Sequence, residues 1–363
     1  MEELSVEVTG SAVRGLRLDT PSGWSRRTSV VKLEGPDGSS GEGEDVTYGG
    51  DDHDGLQGGA VDLAPLCGEW RLGALWSAIE GREWFEAEPG ESKAHKYRRC
   101  ALSTAALELA CDQNGTTLEL LAACEGLAAA RELRFCVSLA LDGSDFGRID
   151  EVLEKVPDTC FKIDFADGWN AMTLERLKSY ETNEGPPRFG VVDFKGFYRG
   201  TFQGPSPRAE LYAATAEALP RAWLEDPWLG ADGWQGAGDE VEAVDLAGDT
   251  QLVGALEPHL ARVTFDAPFA SREWLAQLPA LPRAVNLKPS RFGGVRETLE
   301  VLALVADEGL AAYVGGQFEL GPARTWLQRL ARIACPDGPN DCAPTVYNEG
   351  VLPDSLPASP LSF

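Results

Sequence analysis

Residues 283–316 read RAVNLKPSRFGGVRETLEVLALVADEGLAAYVGG and contain one complete strand–helix–strand unit. Two short apolar runs, at 283–289 and 310–316, flank a segment at 295–310 whose apolar residues recur at the spacing of an amphipathic helix. Two strands joined by a crossover helix pair in parallel, because the helix returns the chain to the edge where the first strand began. The stretch therefore predicts an α/β fold with a parallel sheet.

The same alternation of apolar runs and helix-like segments begins near residue 133. Further apolar runs are LRFCVSLAL at 133–141, TCFKIDF at 159–165, FGVVDF at 189–194, AWLEDP at 222–227 and ARVTFDAP at 261–268. Seven such runs favour a closed (β/α) barrel over an open sheet. An open doubly wound sheet would carry a Gly-rich loop after its first strand, which LALDGSDFG at 139–147 matches poorly. We predict a barrel domain over residues 129–345.

The N-terminal third has a different pattern. TSVVKLE at 28–34 alternates like a strand, and residues 100–124 have helical spacing with a break at Gly115. GGDDHDG at 49–55 has no apolar anchor and predicts a flexible loop. We predict a small α+β domain over residues 1–128.

The composition limits the classes of partner that this protein is expected to bind. The 363-residue chain has 32 Lys and Arg against 58 Asp and Glu, a net charge of −26, so we expect neither a nucleic-acid nor a membrane partner. There is no apolar run of about 18 residues, and the N-terminus lacks the regions of a signal peptide. Eight cysteines without paired spacing are typical of reduced thiols, so we expect a cytoplasmic protein. We expect the three histidines, His53, His95 and His259, to lie at the surface.

Charged residues stand where the predicted strands end, namely Lys162, Asp164, Asp193, Lys195, Glu225, Asp226, Asp266 and Lys288. The carboxyl ends of barrel strands surround the site in this architecture. Carboxylates from three successive strands, Asp193, Glu225 and Asp266, would repel one another, and a hard divalent cation such as Mg²⁺ relieves that repulsion. A single Asp at a strand end is more often a helix cap. Three in order, flanked by lysines in a chain with only eight, favour a metal site instead.

These strand ends resemble the enolase superfamily, in particular its muconate lactonizing enzyme and o-succinylbenzoate synthase-like subgroup. The most specific segments are WLEDP and NLKPSRFGG, and FKID, VVDF, FDAP and GGQFELG occur in the family's order. The resemblance implies a modified (β/α)7β TIM-type barrel with an α+β capping domain, against which the C-terminal tail, 346–363, packs. It further implies Mg²⁺ held by Asp193, Glu225 and Asp266, with Lys288 as general base or acid and Lys162 as the first lysine of a Lys-x-Lys motif.

The sequence departs from the family at two positions. The second lysine of the Lys-x-Lys motif is replaced by Asp164, and Lys195 stands where the family often has Asn. Since alternate residues of a strand share a face, Asp164 and Lys195 should lie side by side on neighbouring strands. Either the catalytic lysine has moved one strand over, with Asp164 orienting it, or the two form a structural ion pair that leaves Lys288 as the base.

The resemblance implies an enzyme that removes the α-proton of a small carboxylate substrate through a metal-stabilised enediolate. One good base favours a lyase, dehydratase or cycloisomerase, whereas two opposed lysines would permit racemisation or epimerisation of N-acyl amino acids or dipeptides. A catalytically degenerate barrel that binds a metabolite is the remaining alternative. Because homo-oligomers are common in that family, the resemblance also implies that this protein could form one. Trp169 and Phe197 follow strand ends and could line an apolar part of the pocket.

Overall fold

The computed structural model of the chain describes residues 1–20, 23–166, 168–182, 184–196, 206–227, 254–277 and 282–363. Its N-terminal strands are β1 (Ser5–Val8), β2 (Gly10–Asp19), β3 (Ser25–Glu34), β4 (Ser40–Asp45) and β5 (Gly68–Arg71). Its N-terminal helices are α1 (Asp52–Gln57), α2 (Leu72–Glu80), α3 (Ala94–Gln113) and α4 (Leu118–Cys124). Strands β2, β3 and β4 form an antiparallel sheet, and β1 pairs with β5. This region is the predicted α+β unit.

Helix α3 lies directly against strand β4, and two glycines make that contact possible. A Cβ atom at Gly41 would lie 2.2 Å from the Ala105 carbonyl oxygen, and one at Gly43 would lie 1.9 Å from that of Ala101. Any larger residue would push the helix off the sheet. The Gly-rich segment that follows β3 is therefore a packing surface for α3.

Seven parallel strands follow in chain order, each paired with the next. They are β7 (Cys136–Ala140), β8 (Cys160–Asp164), β9 (Phe189–Asp193), β10 (Trp223–Glu225), β11 (Val263–Phe265), β12 (Ala284–Leu287) and β13 (Ala311–Val314). The helices between and after them are α5 (Gly147–Lys155), α6 (Ala171–Tyr180), α7 (Ser206–Ala218), α8 (Arg272–Gln277), α9 (Pro289–Phe292), α10 (Val295–Asp307) and α11 (Pro322–Ala334), with a 3-10 helix at Glu257–Arg262.

A short segment after α11 closes the barrel. Asn340 bridges in parallel to Phe135, and Asp341 bridges in parallel to Gly315. The Cys136 amide donates to the Asn340 carbonyl oxygen at 2.7 Å, and the Asp341 amide donates to that of Val314 at 2.8 Å. These bonds place the segment between β13 and β7, as an eighth strand. The predicted (β/α)7β barrel with an α+β capping domain is confirmed.

The C-terminal tail contacts the start of the barrel. Strand β14 (Leu361–Ser362) pairs with β6 (Glu132–Leu133), and the Phe135 amide donates to Ser359 Oγ at 3.0 Å. We expected this tail to pack on the N-terminal domain, whereas these contacts are with residues on the barrel side of the boundary. The physical reason is the unpaired edge of β6, which offers backbone groups that a short strand can satisfy.

The prediction of a flexible loop at 49–55 was wrong. Residues 52–57 form helix α1, in which His53 and Leu56 are buried. His53 Nδ1 lies 2.8 Å from Ser29 Oγ and its Nε2 lies 2.9 Å from the Thr47 carbonyl oxygen, so this histidine is a hydrogen-bonded core residue. A helix of only six residues, stabilised by contacts with distant parts of the chain, is too short to show a periodic pattern in the sequence. Among the described residues, no helix combines the length and apolar character that crossing a bilayer requires.

An ion-pair cluster joins the capping domain to the barrel helix α11. Arg329 donates to both oxygens of Glu108 on α3 and to both oxygens of Glu119 on α4, at 2.8–2.9 Å. Burial by itself would raise the pKa of Glu119, but its hydrogen bonds with Arg329 lower that pKa to about 2. The charged form of Glu119 is therefore favoured in the folded state.

This cluster predicts a pH-dependent contribution to stability. The advantage of the wild type over Glu119→Gln should be complete above about pH 4.5, the ordinary pKa of Glu, and should vanish as the pH falls toward about 2. We expect about 1 kcal/mol at neutral pH, because the pair is partly exposed. Urea unfolding across this pH range measures it, with exposed Glu154→Gln as the control. An equal difference at all pH values would contradict the assignment.

Candidate active site

Three carboxylates meet at the carboxyl end of the barrel. Asp193 ends β9, Glu225 ends β10, and Asp266 directly follows β11. Glu225 is the register partner of Asp193, so the two side chains start at the same level. All three residues are fully buried, and one carboxylate oxygen from each lies within 4.8 Å of the others. The structure thus brings together the three residues that the sequence singled out as metal ligands.

Each carboxylate is paired with at least one cation. Lys162 Nζ contacts Glu225 Oε1 and lies 3.4 Å from Asp193 Oδ2. Asp266 accepts from Lys288 Nζ at 2.8 Å and from Arg291 Nη1 at 2.7 Å. Three negative charges buried this closely are tolerable only when opposite charges lie against them. Arg291, three residues after Lys288, is thus part of this cluster.

The pKa values reflect the competition between burial and these partners. Burial raises the pKa of Asp193 and of Asp266, but the neighbouring cations outweigh it and lower both, that of Asp266 to about 2. The pKa of Glu225 is raised, because burial and the adjacent Asp193 and Asp266 exceed the effect of Lys162. Burial also lowers the pKa of Lys288, an effect that Arg291 reinforces and Asp266 opposes.

Two further side chains hold Glu225, and the sequence did not indicate either of them. Asn286 Nδ2 donates to Glu225 Oε2 at 3.0 Å, and the Tyr313 hydroxyl donates to the same oxygen. Both residues are fully buried in the barrel interior, on β12 and β13. Asn286 is two residues before Lys288, so the alternation of the strand could have placed it on the inward face. A single Tyr in AAYV carries no such signal.

The predicted neighbours Asp164 and Lys195 do lie side by side. Lys195 Nζ is 3.1 Å from Asp164 Oδ1 and 2.5 Å from Asp193 Oδ2. The backbone of Lys195 has a φ of 55°, a left-handed conformation uncommon for a residue with a side chain. Its amide donates to Asp193 Oδ1 at 3.0 Å, which holds this turn in place. Lys195 is consequently fixed between a β8 carboxylate and a β9 carboxylate.

A cavity of about 250 Å³ opens beside this cluster. Lys162, Asp164, Lys195 and Lys288, the four residues predicted to be catalytic, all line it. Its remaining walls come from β7, from the loop after β13, from the closing segment with Asp341, and from Tyr48 of the capping domain. The cavity therefore presents three ammonium groups, the guanidinium group of Arg324 and the carboxyl groups of Asp164 and Asp341 to any molecule that enters it.

The capping domain is tied to this cavity through a chain of polar contacts. Gln317 accepts from Arg291 Nε at 2.8 Å and donates to the Tyr48 hydroxyl at 3.0 Å. Arg26, fully buried, lies 4.4 Å from the Tyr48 ring centroid and donates to the carbonyl oxygens of Val46 and Gln317. The position of the capping domain and that of the cation beside Asp266 are thus linked.

The donor set fits a hard divalent cation. Three carboxylates supply oxygen ligands only, which Mg²⁺ prefers, and all three are excluded from water by the surrounding barrel. The same oxygens are contacted by ammonium groups, so a bound cation would compete with these groups for Glu225, Asp193 and Asp266. Asp193, Glu225 and Asp266 are the residues that would hold the metal.

Trp169 and Phe197 are the two aromatic residues that the sequence suggested for the lining of the pocket. Trp169 is buried in the core, where it packs against Phe165 at a centroid distance of 5.0 Å and donates to the Leu141 carbonyl oxygen. Trp169 is not among the residues that line the cavity described above, since its ring is buried in the core. Phe197 lies outside the described residues.

Comparison with solved structures defines the class of fold. The dipeptide epimerase of Enterococcus faecalis V583 aligns with a TM-score of 0.65 at 13% identity, over 96% of this chain and 92% of that one. The muconate lactonizing enzyme of Pseudomonas fluorescens, complexed with muconolactone, gives 0.65 at 15% identity, over 93% and 88%. A putative mandelate racemase/muconate lactonizing enzyme of Roseovarius nubinhibens, complexed with magnesium, gives 0.61 at 16% identity, over 91% and 84%. The chain has the fold of the enolase superfamily.

The chain belongs to the family described as domain of unknown function DUF8230. The model of the family's N-terminal domain matches residues 1–121, and that of its C-terminal domain matches residues 129–349. No curated protein matches the sequence. The resemblance to enolase superfamily proteins stated from the strand-end motifs is confirmed at the level of the fold.

Asp226 organises the loop that carries Asp266. It is fully buried, its backbone φ is 48°, and its carboxylate accepts from the amides of Asp266 at 2.7 Å and Ala267 at 2.8 Å. Burial, together with the nearby Asp266 and Asp193, raises the pKa of Asp226 to about 7, although the two amide hydrogen bonds lower it. Burying a fourth carboxyl group beside the triad costs free energy. We infer that the two amide hydrogen bonds of Asp226 offset this cost by fixing the position of Asp266.

Asp226→Asn tests this role. The amide group would turn a donor toward one of the two backbone donors, so we expect a loss of about 1–3 kcal/mol in the free energy of unfolding. Urea denaturation measures it. Asp142→Asn is the matched control, because exposed Asp142 also accepts from two backbone amides, those of Ser144 and Asp145, but water can replace them. Equal losses in the two variants would refute a special role for Asp226.

Proposed function

We propose that this protein is a Mg²⁺-dependent enzyme that removes the proton next to the carboxylate of a small-molecule substrate. The observation that carries the proposal is the triad Asp193, Glu225 and Asp266, buried at the strand ends beside a cavity lined by lysines. A bound Mg²⁺ would offset the negative charge that grows on the substrate carboxylate as the proton leaves. The enzymes of similar fold include an epimerase and muconate lactonizing enzymes, which supports this reaction class.

The lysines take separate roles in the proposed reaction. Lys288 lies on the β12 side of the triad and is the residue we propose as the base that accepts the α-proton at Nζ. Lys162 stands between Asp193 and Glu225 and also lines the cavity. Its ammonium group would contact the substrate carboxylate. Lys195 approaches from β9, held by Asp164, and would act on the other side of the substrate.

We propose a lyase, dehydratase or cycloisomerase as the first choice. In these reactions one base removes the α-proton and the substrate then loses a leaving group or closes a ring, so a second base is not needed. The altered second-strand motif, with Asp164 in place of lysine, favours this outcome. A racemase or epimerase is the second candidate. The observation that favours it is the placement of Lys195 in the same cavity as Lys288, because two ammonium groups can serve opposite faces of one carbon.

Calorimetric titration with Mg²⁺ tests the metal site. We expect saturable binding to the wild type and a loss of at least 10-fold in affinity for Glu225→Gln, since the amide removes a charge and one oxygen ligand. Glu44→Gln is the control, because Glu44 is also a buried carboxylate but instead accepts from the amides of Leu320 and Gly321 at the start of α11. No binding to the wild type, or equal binding to the wild type and Glu225→Gln, would refute the proposal. Either result would favour a catalytically degenerate barrel that binds a metabolite.

Incubation with N-acyl amino acids and dipeptides in D₂O tests the lysines. An alkene or cyclised product would support the first choice, and α-deuteration with inversion would support the epimerase. We expect Lys288→Ala to lower the rate by 10²-fold or more, and Lys195→Ala to lower it as well. Lys178→Ala, which removes a surface lysine paired with Glu175, is the control. Full activity of Lys195→Ala would reduce Lys195 and Asp164 to a structural ion pair.

A further inference from the structure

Two cysteines face each other at the opposite end of the barrel from the carboxylates. Cys136 is the first residue of β7 and Cys160 the first residue of β8, and the two are direct register partners. Their sulfur atoms are 3.0 Å apart. Neighbouring strands are separated by about 4.8 Å, which lies within the range of Cα separations that a disulfide spans. The backbone already has the spacing that a bond between these sulfurs requires.

The pair is accessible from outside the barrel. Both cysteines line a cavity of about 400 Å³ at this end, together with Gly190 and Pro339. Cys136 is buried, whereas Cys160 is partly exposed. A Cβ atom at Gly190 would lie 2.8 Å from the Cys160 sulfur and 3.0 Å from that of Cys136, so glycine on β9 leaves the room that the two thiols occupy.

We propose that Cys136 and Cys160 are a dithiol site that a small-molecule disulfide of the glutathione class oxidises reversibly to an intrachain disulfide. In the first step the Cys160 thiolate attacks one sulfur of the reagent, forms a mixed disulfide and releases one thiolate. The Cys136 thiolate then attacks the Cys160 sulfur and releases the second. Two electrons pass from the cysteines to the reagent, and the two cysteine protons end on the released thiols.

The order of attack follows from the surroundings of the two thiols. Burial raises the pKa of the Cys136 thiol, and Cys160 beside it adds to that effect. The partly exposed Cys160 is therefore the first to react, and Cys136 resolves the mixed disulfide. Among the hydrogen bonds of the described residues, none joins any of the other six cysteines to a second thiol. All eight cysteines are free thiols in this structure.

The bond would act on strand β8, which carries the cavity residues Lys162 and Asp164. Cys160, Lys162 and Asp164 alternate along β8, so they share its inward face. The Cys136 amide also donates to Asn340, which closes the barrel. A disulfide here would fasten β7 to β8 beside the seam and beneath Lys162, and would stabilise the closed barrel against unfolding.

Treatment of the full-length protein with oxidised glutathione tests the proposal. We expect the intact mass to fall by about 2 Da, peptide mapping without reductant to join the peptides that contain Cys136 and Cys160, and the thermal midpoint to rise. Dithiothreitol should reverse all three changes. Cys136→Ser should instead retain a glutathione adduct on Cys160, because the resolving thiol is absent, and Cys160→Ser should form no cross-link.

Two controls make the outcome decisive. Cys100→Ser removes a buried thiol elsewhere and should form the cross-link as the wild type does. Circular dichroism of the Cys136 and Cys160 variants verifies that they fold, and Cys160→Ala provides a second variant if Cys160→Ser does not. A wild type that keeps all eight thiols, or one that cross-links other cysteines such as Cys67 and Cys124, would overturn the proposal.

Discussion

The burial of three carboxylates at the ends of neighbouring strands is the constraint on which the rest of this site depends. Asp193, Glu225 and Asp266 are excluded from water. Such charges are tolerable in a protein interior only with close counter-charges and hydrogen-bond donors. Lys162, Lys195, Lys288 and Arg291 supply the charges, and Asn286 and Tyr313 supply further donors. These groups, together with the carboxylates, come from the six strands β8 to β13 or the segments directly after them, so the barrel must form before the site exists.

Lys195 places an ammonium group between the carboxylates of Asp164 and Asp193. The resemblance implies lysine at position 164, and this chain has Asp there and Lys at 195 on the adjacent strand. Because Asp164 and Asp193 are register partners across β8 and β9, a lysine two residues beyond Asp193 reaches both carboxylates. An ammonium group therefore remains in the cavity, approached from the neighbouring strand. Whether this group reacts or only balances charge is what the lysine variants distinguish.

Much of the barrel could be predicted because its strands are buried on both sides. Every apolar run from 133–141 to 310–316 contains an observed strand, since a strand covered by helices and by the barrel interior must be apolar along its length. The capping domain was harder to predict. Helix α1 consists largely of Asp, Gly and polar residues, and its stability comes from contacts of His53 with Ser29 and Thr47. The eighth strand is two residues of backbone bonding, which leaves no pattern.

The sequence by itself determined the class of fold, the order of its strands and the identity of the acidic triad, because periodicity and strand-end residues are local properties. Only the tertiary structure decided which side chains hold that triad in place. Tyr313 and Asp226 act through contacts between strands, and Arg291 reaches Asp266 from the segment after β12. The same holds for the facing thiols of Cys136 and Cys160, which are 24 residues apart in the chain and meet only through strand register. Register is fixed by the closure of the whole barrel, so no local stretch of sequence contains it.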